Sequence, residues 1–293
     1  MSRQRRRGAV AGAALALATA AWFGIVLIGE RRRPLRRRVE PGWRREGRNL
    51  ALALTAAAAI RLAETPLTAP LAALVARRRW GLLPRLKLPP ALEAALALAL
   101  LDYTLYVWHV LLHRVPLLWR CHVVHHVDLD LTASTALRFH FAEMVLSAPW
   151  RAAQVALIGV RPPVLDLWQR LTLLEIIFHH ANLRLPRCVE DRLGRLVMTP
   201  RLHGIHHSTV HAETDSNWSS GLVLWDRLHG TLRRDVPQPA IVIGVPAYRE
   251  PGELTLPRLV ALPFVAQRPA WQAPPPSRVI AGPRPRASEG YKR

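Results

Sequence analysis

Residues 109–126 read HVLLHRVPLLWRCHVVHH, and residues 203–207 read HGIHH. The first stretch sets His109 and His113 four apart and then groups His122, His125 and His126. The second repeats that H-x-x-H-H spacing with His203, His206 and His207. On a helix, positions three and four apart share a face, so each cluster is expected to turn two or three imidazoles toward one point. Neutral imidazole is the commonest metal-binding side chain. The chain carries 13 His, all between His109 and His229. Histidines used only for packing would not concentrate this way. A lone H-x3-H on an apolar helix is more often coincidence than a ligand pair, but two H-x-x-H-H copies beside it argue for metal. One tetrahedral zinc takes three or four protein ligands. These clusters alone supply eight, a number that fits two metal ions. The Glu-x-x-His pattern of carboxylate-bridged di-iron bundles is missing from them. Imidazole suits iron, zinc, copper and nickel, so spacing leaves the metal open. His211 and His229 fall outside the clusters, as surface or supporting residues.

The chain around these clusters is apolar and basic. Half of its 293 residues are hydrophobic, yet its formal net charge is +21, and 41 residues are Lys or Arg. Only Lys87 and Lys292 are Lys. A balanced soluble enzyme, a disordered chain and a disulfide scaffold are all excluded, the last because Cys121 and Cys188 are the only cysteines. Ala9 to Gly29 is uncharged and apolar, flanked on both sides by Arg. A spanning helix needs ~20 such residues, so this reads as an uncleaved anchor. Leu50 to Ala76 is a second apolar stretch, interrupted by Arg61, Glu64, Pro66 and Pro70, which suggests a helical hairpin or a kinked span. Ala91 to Leu112 is a third. Met144 to Val160 and Val164 to Phe178 are shorter, and read as spans, re-entrant segments or helices buried against protein.

The Arg-rich loops at 31–48 and 77–87 would both be cytoplasmic by the positive-inside rule. Residues 50–76 would then enter and leave on one side. Arg also binds phosphate, but these residues flank apolar segments and no nucleic-acid-binding signature accompanies them; nucleic acid is not expected as a partner. From Pro237 onward there are 12 Pro in 57 residues, so long helices are excluded there, and an extended or disordered tail is expected beyond Gln267.

At the histidines the sequence resembles the fatty acid hydroxylase and sterol desaturase superfamily of membrane, histidine-rich di-iron oxygenases. Residues 102–114 (DYTLYVWHVLLHR) resemble its first box and 118–126 (LWRCHVVHH) its second. Residues 135–140 (TALRFH) with Glu143, 179–186 (HHANLRLP), 199–208 (TPRLHGIHHS), 213–218 (ETDSNW) and 224–231 (LWDRLHGT) complete the match. Phe141 stands where Pro is frequent in the family, and His229 where an aromatic usually precedes Gly-Thr. The resemblance spans about residues 90 to 250. It implies metal ligation by His109, His113, His122, His125, His126, His203, His206 and His207. It adds His180, with its neighbour His179 as competitor.

A metal-bound imidazole usually passes its second N–H to a carboxylate or carbonyl. Asp102, Glu143, Asp215, Asn217 and Asp226 are candidates for supporting the site, and His140 is an auxiliary one. For Asn217 and Asp226 the alternative is that they only pin loop turns.

The expected fold is all-α: a polytopic integral membrane protein with a histidine-lined cap beside the membrane. Its parts are an anchor helix and Arg-rich loop (1–48), a membrane hairpin and basic loop (49–90), the di-metal catalytic domain (91–250) and a Pro/Arg-rich segment, partly disordered (251–293). The resemblance implies two iron ions, a lipid substrate, O2 and an external electron donor of cytochrome or ferredoxin type, with the histidines on the cytoplasmic side. A non-oxidative metal protein, either a zinc-dependent hydrolase or a metal carrier, is the competing reading.

Overall fold

The computed structural model describes residues 3–40 and 42–273. Among these residues the protein is all helix and loop, with three isolated β-bridges and no strand. The helices are α1 (Arg3–Arg32), α2 (Gly42–Ala59), α3 (Thr65–Arg78), α4 (Leu83–Leu86), α5 (Pro90–Arg114), α6 (Pro116–His126), α7 (Phe141–Ile158), α8 (Pro162–His180), α9 (Arg187–Leu193), α10 (Pro200–His206), α11 (His211–Thr214), α12 (Leu224–Leu228) and α13 (Leu256–Ala261). Proline sits in the first turn of α5, α6, α8 and α10, where its missing N–H costs nothing and its fixed φ suits the helix.

Residues 50–76 do not form the hairpin. α2 runs into α3 through a π-helical turn, Ile60–Glu64. Pro66 and Pro70 cannot donate to the carbonyls four residues back. The wider turn accommodates this: Thr65 N–H donates to the Ile60 carbonyl, and Thr68 Oγ1 donates to the Glu64 carbonyl at 3.0 Å. The two Arg-rich loops therefore lie at the two ends of one interrupted helix.

Among the described residues, Gly42–Leu86 and Pro90–Arg114 are long and apolar enough to cross a membrane, and the protein is an all-α membrane protein. The 144–160 and 164–178 stretches form α7 and α8. An apolar core joins α3, α5, α7 and α8 through Val75, Leu101, Val155 and Trp168. A second packs Leu52 of α2 against Val123 and Val124 of α6 and against Leu254 and Leu259. Each such fully buried aliphatic contributes roughly 1.5–3 kcal/mol.

The ends of α1 and α8 are tied by a carboxylate. Glu30 Oε1 accepts from the backbone N–H groups of Ala133, at 2.8 Å, and Asn182, at 2.5 Å. Residues 267–273, expected to begin the extended tail, instead pack on α6. Gln267 Nε2 donates to the Arg120 carbonyl at 3.0 Å, and the Trp271 ring lies 5.9 Å from that of Trp119. The rest of the tail expectation, 274–293, lies outside the described residues.

Candidate metal centre

The ends of α5, α6, α8 and α10 meet, and eight histidines gather there in two quartets. His109, His113, His126 and His206 form one; His125, His180, His203 and His207 form the other. Within each quartet, one ring nitrogen per residue lies within 4.8 Å of the rest. The expectation that each sequence cluster faces one point needs correction. Successive helical residues point about 100° apart, so a His-His doublet cannot aim at one place. His125 and His126 divide between the quartets, and so do His206 and His207. Spacing by four is kept within a quartet, as in His109 with His113 and His203 with His207.

Backbone carbonyls orient three of the rings. His109 Nδ1 donates to the Trp218 carbonyl at 2.7 Å, His206 Nδ1 to the Ser216 carbonyl at 3.0 Å, and His180 Nδ1 to the Ile176 carbonyl at 2.7 Å. A carbonyl only accepts, so Nδ1 carries the proton and Nε2 offers a lone pair. In the second quartet His180 Nε2 lies 3.0 Å from His125 Nε2 and 3.1 Å from His203 Nε2. His207 Nε2 lies 3.1 Å from His203 Nε2. In the first, Nε2 of His113, His126 and His206 is buried without a partner. An unpaired buried polar atom costs about 1–3 kcal/mol, and a cation at the point of convergence removes that cost. The donor set of each quartet fits a metal ion.

The protonation state agrees. Burial, followed by repulsion from neighbouring imidazoles, holds His125, His126, His203 and His207 well below the usual imidazole range. Burial takes His180 and His206 down to about 3. Near neutral pH these rings are uncharged and free to coordinate.

His122 and His179 lie outside both quartets. His122 Nδ1 meets Glu143 Oε1 at 3.1 Å, while its Nε2 is buried and unpartnered. Its ring is 4.9 Å from His113 and 5.0 Å from His126. His179 stacks beside the second quartet, 4.2 Å from His203, and both its ring nitrogens are buried without a hydrogen bond.

Of the supporting candidates, Glu143 is the one whose carboxylate touches a clustered histidine. Asp102 Oδ2 instead accepts from Leu222 N–H at 3.0 Å and Trp225 Nε1 at 2.7 Å. Asp226 accepts from the N–H groups of Trp218 and Ser219 at 2.9 and 3.0 Å. Asn217, at φ 54°, donates to the carbonyls of Leu202 and Arg233. These three hold the 216–231 loop, which in turn presents the Ser216 and Trp218 carbonyls to His206 and His109. His140 caps α7, accepting from Ala142 N–H, and donates to the Val260 carbonyl. Asp215 pairs with Arg114 at 3.0 Å near the surface.

Two supports were not anticipated from the sequence. A Cβ on Gly204, inside the HGIHH motif, would stand 1.6 Å from Arg36 Nη2. That nitrogen donates to the Pro200 carbonyl at 3.1 Å and Gln238 Oε1 at 2.5 Å, so glycine is required for the close approach. Beyond His126, buried Asp128 receives both arms of Arg45 at 2.8 and 2.7 Å. Arg138 lies 3.7 Å away and donates from Nε to the Val124 carbonyl at 2.8 Å. Arg45 is one of 39 Arg, with nothing local to mark it; Asp128, two residues past His126, was the available signal.

Residues 94–231 match the family model described as fatty acid hydroxylase. The chain is 35% identical to an ornithine lipid hydroxylase of Rhizobium tropici over 52% of this chain and 45% of that protein. It is 30% identical to an alkylglycerol monooxygenase of Xenopus tropicalis over 44% and 28% of the two chains. It is 34% identical to a cholesterol 25-hydroxylase-like protein of Danio rerio over 48% and 55%. The matches thus span about half or less of these relatives' lengths. No solved structure matches the chain.

Proposed function

We propose that this chain, whose residues 94–231 match the fatty acid hydroxylase family model, is a membrane-bound di-iron oxygenase. It hydroxylates or desaturates a C–H bond of a hydrophobic lipid, using O2 and electrons from an external donor of cytochrome or ferredoxin type. The observation that carries this reading is the pair of adjoining quartets of buried, neutral imidazoles. Iron, one ion in each, would supply the oxygen chemistry that unactivated C–H bonds require and that protein acids, bases and nucleophiles lack.

The protein's own groups have defined tasks. His109, His113, His126 and His206 would hold one ion, and His125, His180, His203 and His207 the other. The carbonyls of Trp218, Ser216 and Ile176 fix ring tautomers, leaving the Nε2 lone pair as the atom that would bind a metal. Glu143 orients His122, which completes the set of nine ligands that includes His180; His179 stays beside it in support. Buried walls keep bulk water from the site.

A cavity of about 350 Å³ between α6 and α7 is lined by Leu117, Cys121, Phe141, Ala142, Leu146 and Phe264. Its walls are hydrocarbon and it borders the two helices that carry His122 and Glu143, so it suits an alkyl chain. The names of the relatives above point to lipids as the substrate class.

The histidines lie on the cytoplasmic side in this reading. The Arg-rich segment after α1 packs directly on the histidine-bearing body, with Arg36 N–H on Asn182 Oδ1 at 2.8 Å and Val39 N–H on Asp130 Oδ1 at 2.8 Å. The positive-inside rule then places both in the cytoplasm, with the chain crossing the membrane more than once. A zinc hydrolase would want a carboxylate base beside an open metal position. Among the described residues, Glu143 reaches the clusters only through His122.

The test is incubation of membranes with isotopically labelled dioxygen and a reductant, followed by lipid mass analysis. Label in a hydroxylated lipid supports hydroxylation, and a new double bond without label supports desaturation. Product that forms without oxygen or reductant overturns both.

A further inference from the structure

We propose that Trp119, Trp271 and His211 form the route by which electrons from a one-electron carrier protein enter the metal centre. The proposal rests on the oxygenase reading, which needs electrons from outside the chain. The ring of Trp119 lies 4.9 Å from His113 and 5.6 Å from His126, both in the first quartet. Trp271 stacks on Trp119 at 5.9 Å with 29° between planes. His211 stacks on Trp271 at 4.4 Å and 14°. Four ring systems in van der Waals sequence thus join a buried metal-binding histidine to an exposed one. Trp218, the other tryptophan against this quartet, is buried at 1% exposure.

Electron tunnelling falls steeply with through-space gaps, so a continuous series of π systems is the favoured path into a site enclosed by aliphatic helices. The Trp271 ring is in place because residues 263–273 are strapped onto α6. Arg120 donates to the carbonyls of Pro263 at 2.9 Å and Val265 at 2.7 Å, and Gln267 donates back to the Arg120 carbonyl.

In the transfer, one electron leaves the reduced centre of the carrier and one is gained by the metal in the first quartet; no bond forms or breaks.

The test uses full-length, iron-loaded protein mixed anaerobically with reduced plant-type ferredoxin, with ferredoxin oxidation followed by absorbance. The wild type should oxidise ferredoxin. Trp271→Leu should slow this by an order of magnitude or more, with metal content unchanged and reduction by dithionite intact. Trp271→Phe, which keeps a ring, should restore most of the rate.

The proposal is overturned if Trp271→Leu accepts electrons from ferredoxin at the wild-type rate. Loss of metal by that variant also overturns it, because Trp271 would then be a cover for the site, and so does failure of ferredoxin to react with the wild type. Dithionite-reduced wild type that yields no oxygen-dependent lipid product defeats the oxygenase reading separately, because the electron route is read without oxygen or lipid.

Discussion

The His126 ring lies flat against that of His207, with centroids 4.3 Å apart and 13° between planes. The first belongs to one quartet and the second to the other, so the two candidate metal sites share a wall. His125, the other member of the α6 doublet, lies 4.8 Å from His207 within the second quartet.

His125→Ala should therefore abolish activity and remove at least the metal of its own quartet. His229→Ala should leave metal content unchanged. The His229 ring stacks on Tyr106 at 5.0 Å and lies 5.8 Å from Tyr103, away from both quartets. Its loss should alter turnover by no more than ~1–3 kcal/mol in apparent barrier, the range of a change in fit rather than of a lost ligand. Metal analysis of the two purified variants, alongside turnover, checks the contrast.

Glu143→Gln should weaken the site through His122. A carboxylate that accepts from a ligand's second N–H fixes its orientation, and removing one typically costs about 10–100-fold in metal affinity or activity. Competition with a chelator of known affinity reads the change. An affinity equal to wild type would leave Glu143 with only a packing role.

Gly204→Ala should destabilise the protein by about 1–3 kcal/mol, since the new methyl displaces the Arg36 guanidinium from its carbonyl and Gln238 partners. Arg36→Ala should cost stability alone, yet the double variant should cost less than the sum, because the clash is gone. Thermal unfolding in detergent of the four proteins gives the coupling.

Acid should loosen the segment after His126. Burial alone would raise the Asp128 carboxyl, but Arg45 and Arg138 beside it hold it down at about 2. A carboxyl whose folded value lies below its unfolded value, about 3.9, stabilises the fold fully above that value. The contribution is then lost as pH falls through about 2, and a gap of this size between the folded and unfolded chain corresponds to about 2–3 kcal/mol. Asp128→Asn should flatten stability across this window and, by leaving Arg45 buried without its anion, lower it at neutral pH by about 3–5 kcal/mol. Unfolding followed against pH in both proteins checks the sign and the window.

The helical class, the apolar segments and the histidine clusters were legible because periodicity and local spacing encode them. The partition of His125 from His126, and of His206 from His207, was not. It follows from helix rotation combined with how α6 and α10 meet, and a motif read in one dimension merges the doublet. Of the two readings of 50–76, hairpin or kinked span, the structure has the second, because a π turn absorbs Pro66 and Pro70 without a reversal. Asp102, Asn217 and Asp226 have the right chemistry to support imidazoles, but their carboxylate and amide groups are spent on the loop backbone. The groups that do orient His109, His180 and His206 are main-chain carbonyls, which leave no residue-type signal. Arg36 and Arg45 were hidden in a chain rich in arginine, since only the tertiary contact separates a buried clamp from a membrane-flanking charge.

The central claim is that the two quartets bind two iron ions in each chain. Its most direct test is metal titration of purified, metal-free protein with ferrous iron under anaerobic conditions, read by metal analysis and by Mössbauer spectroscopy of the loaded protein. The account predicts saturation at two ions per chain, with His109→Ala and His180→Ala each failing to fill a different site. Saturation at a single ion, with variants of both quartets behaving alike, would contradict it.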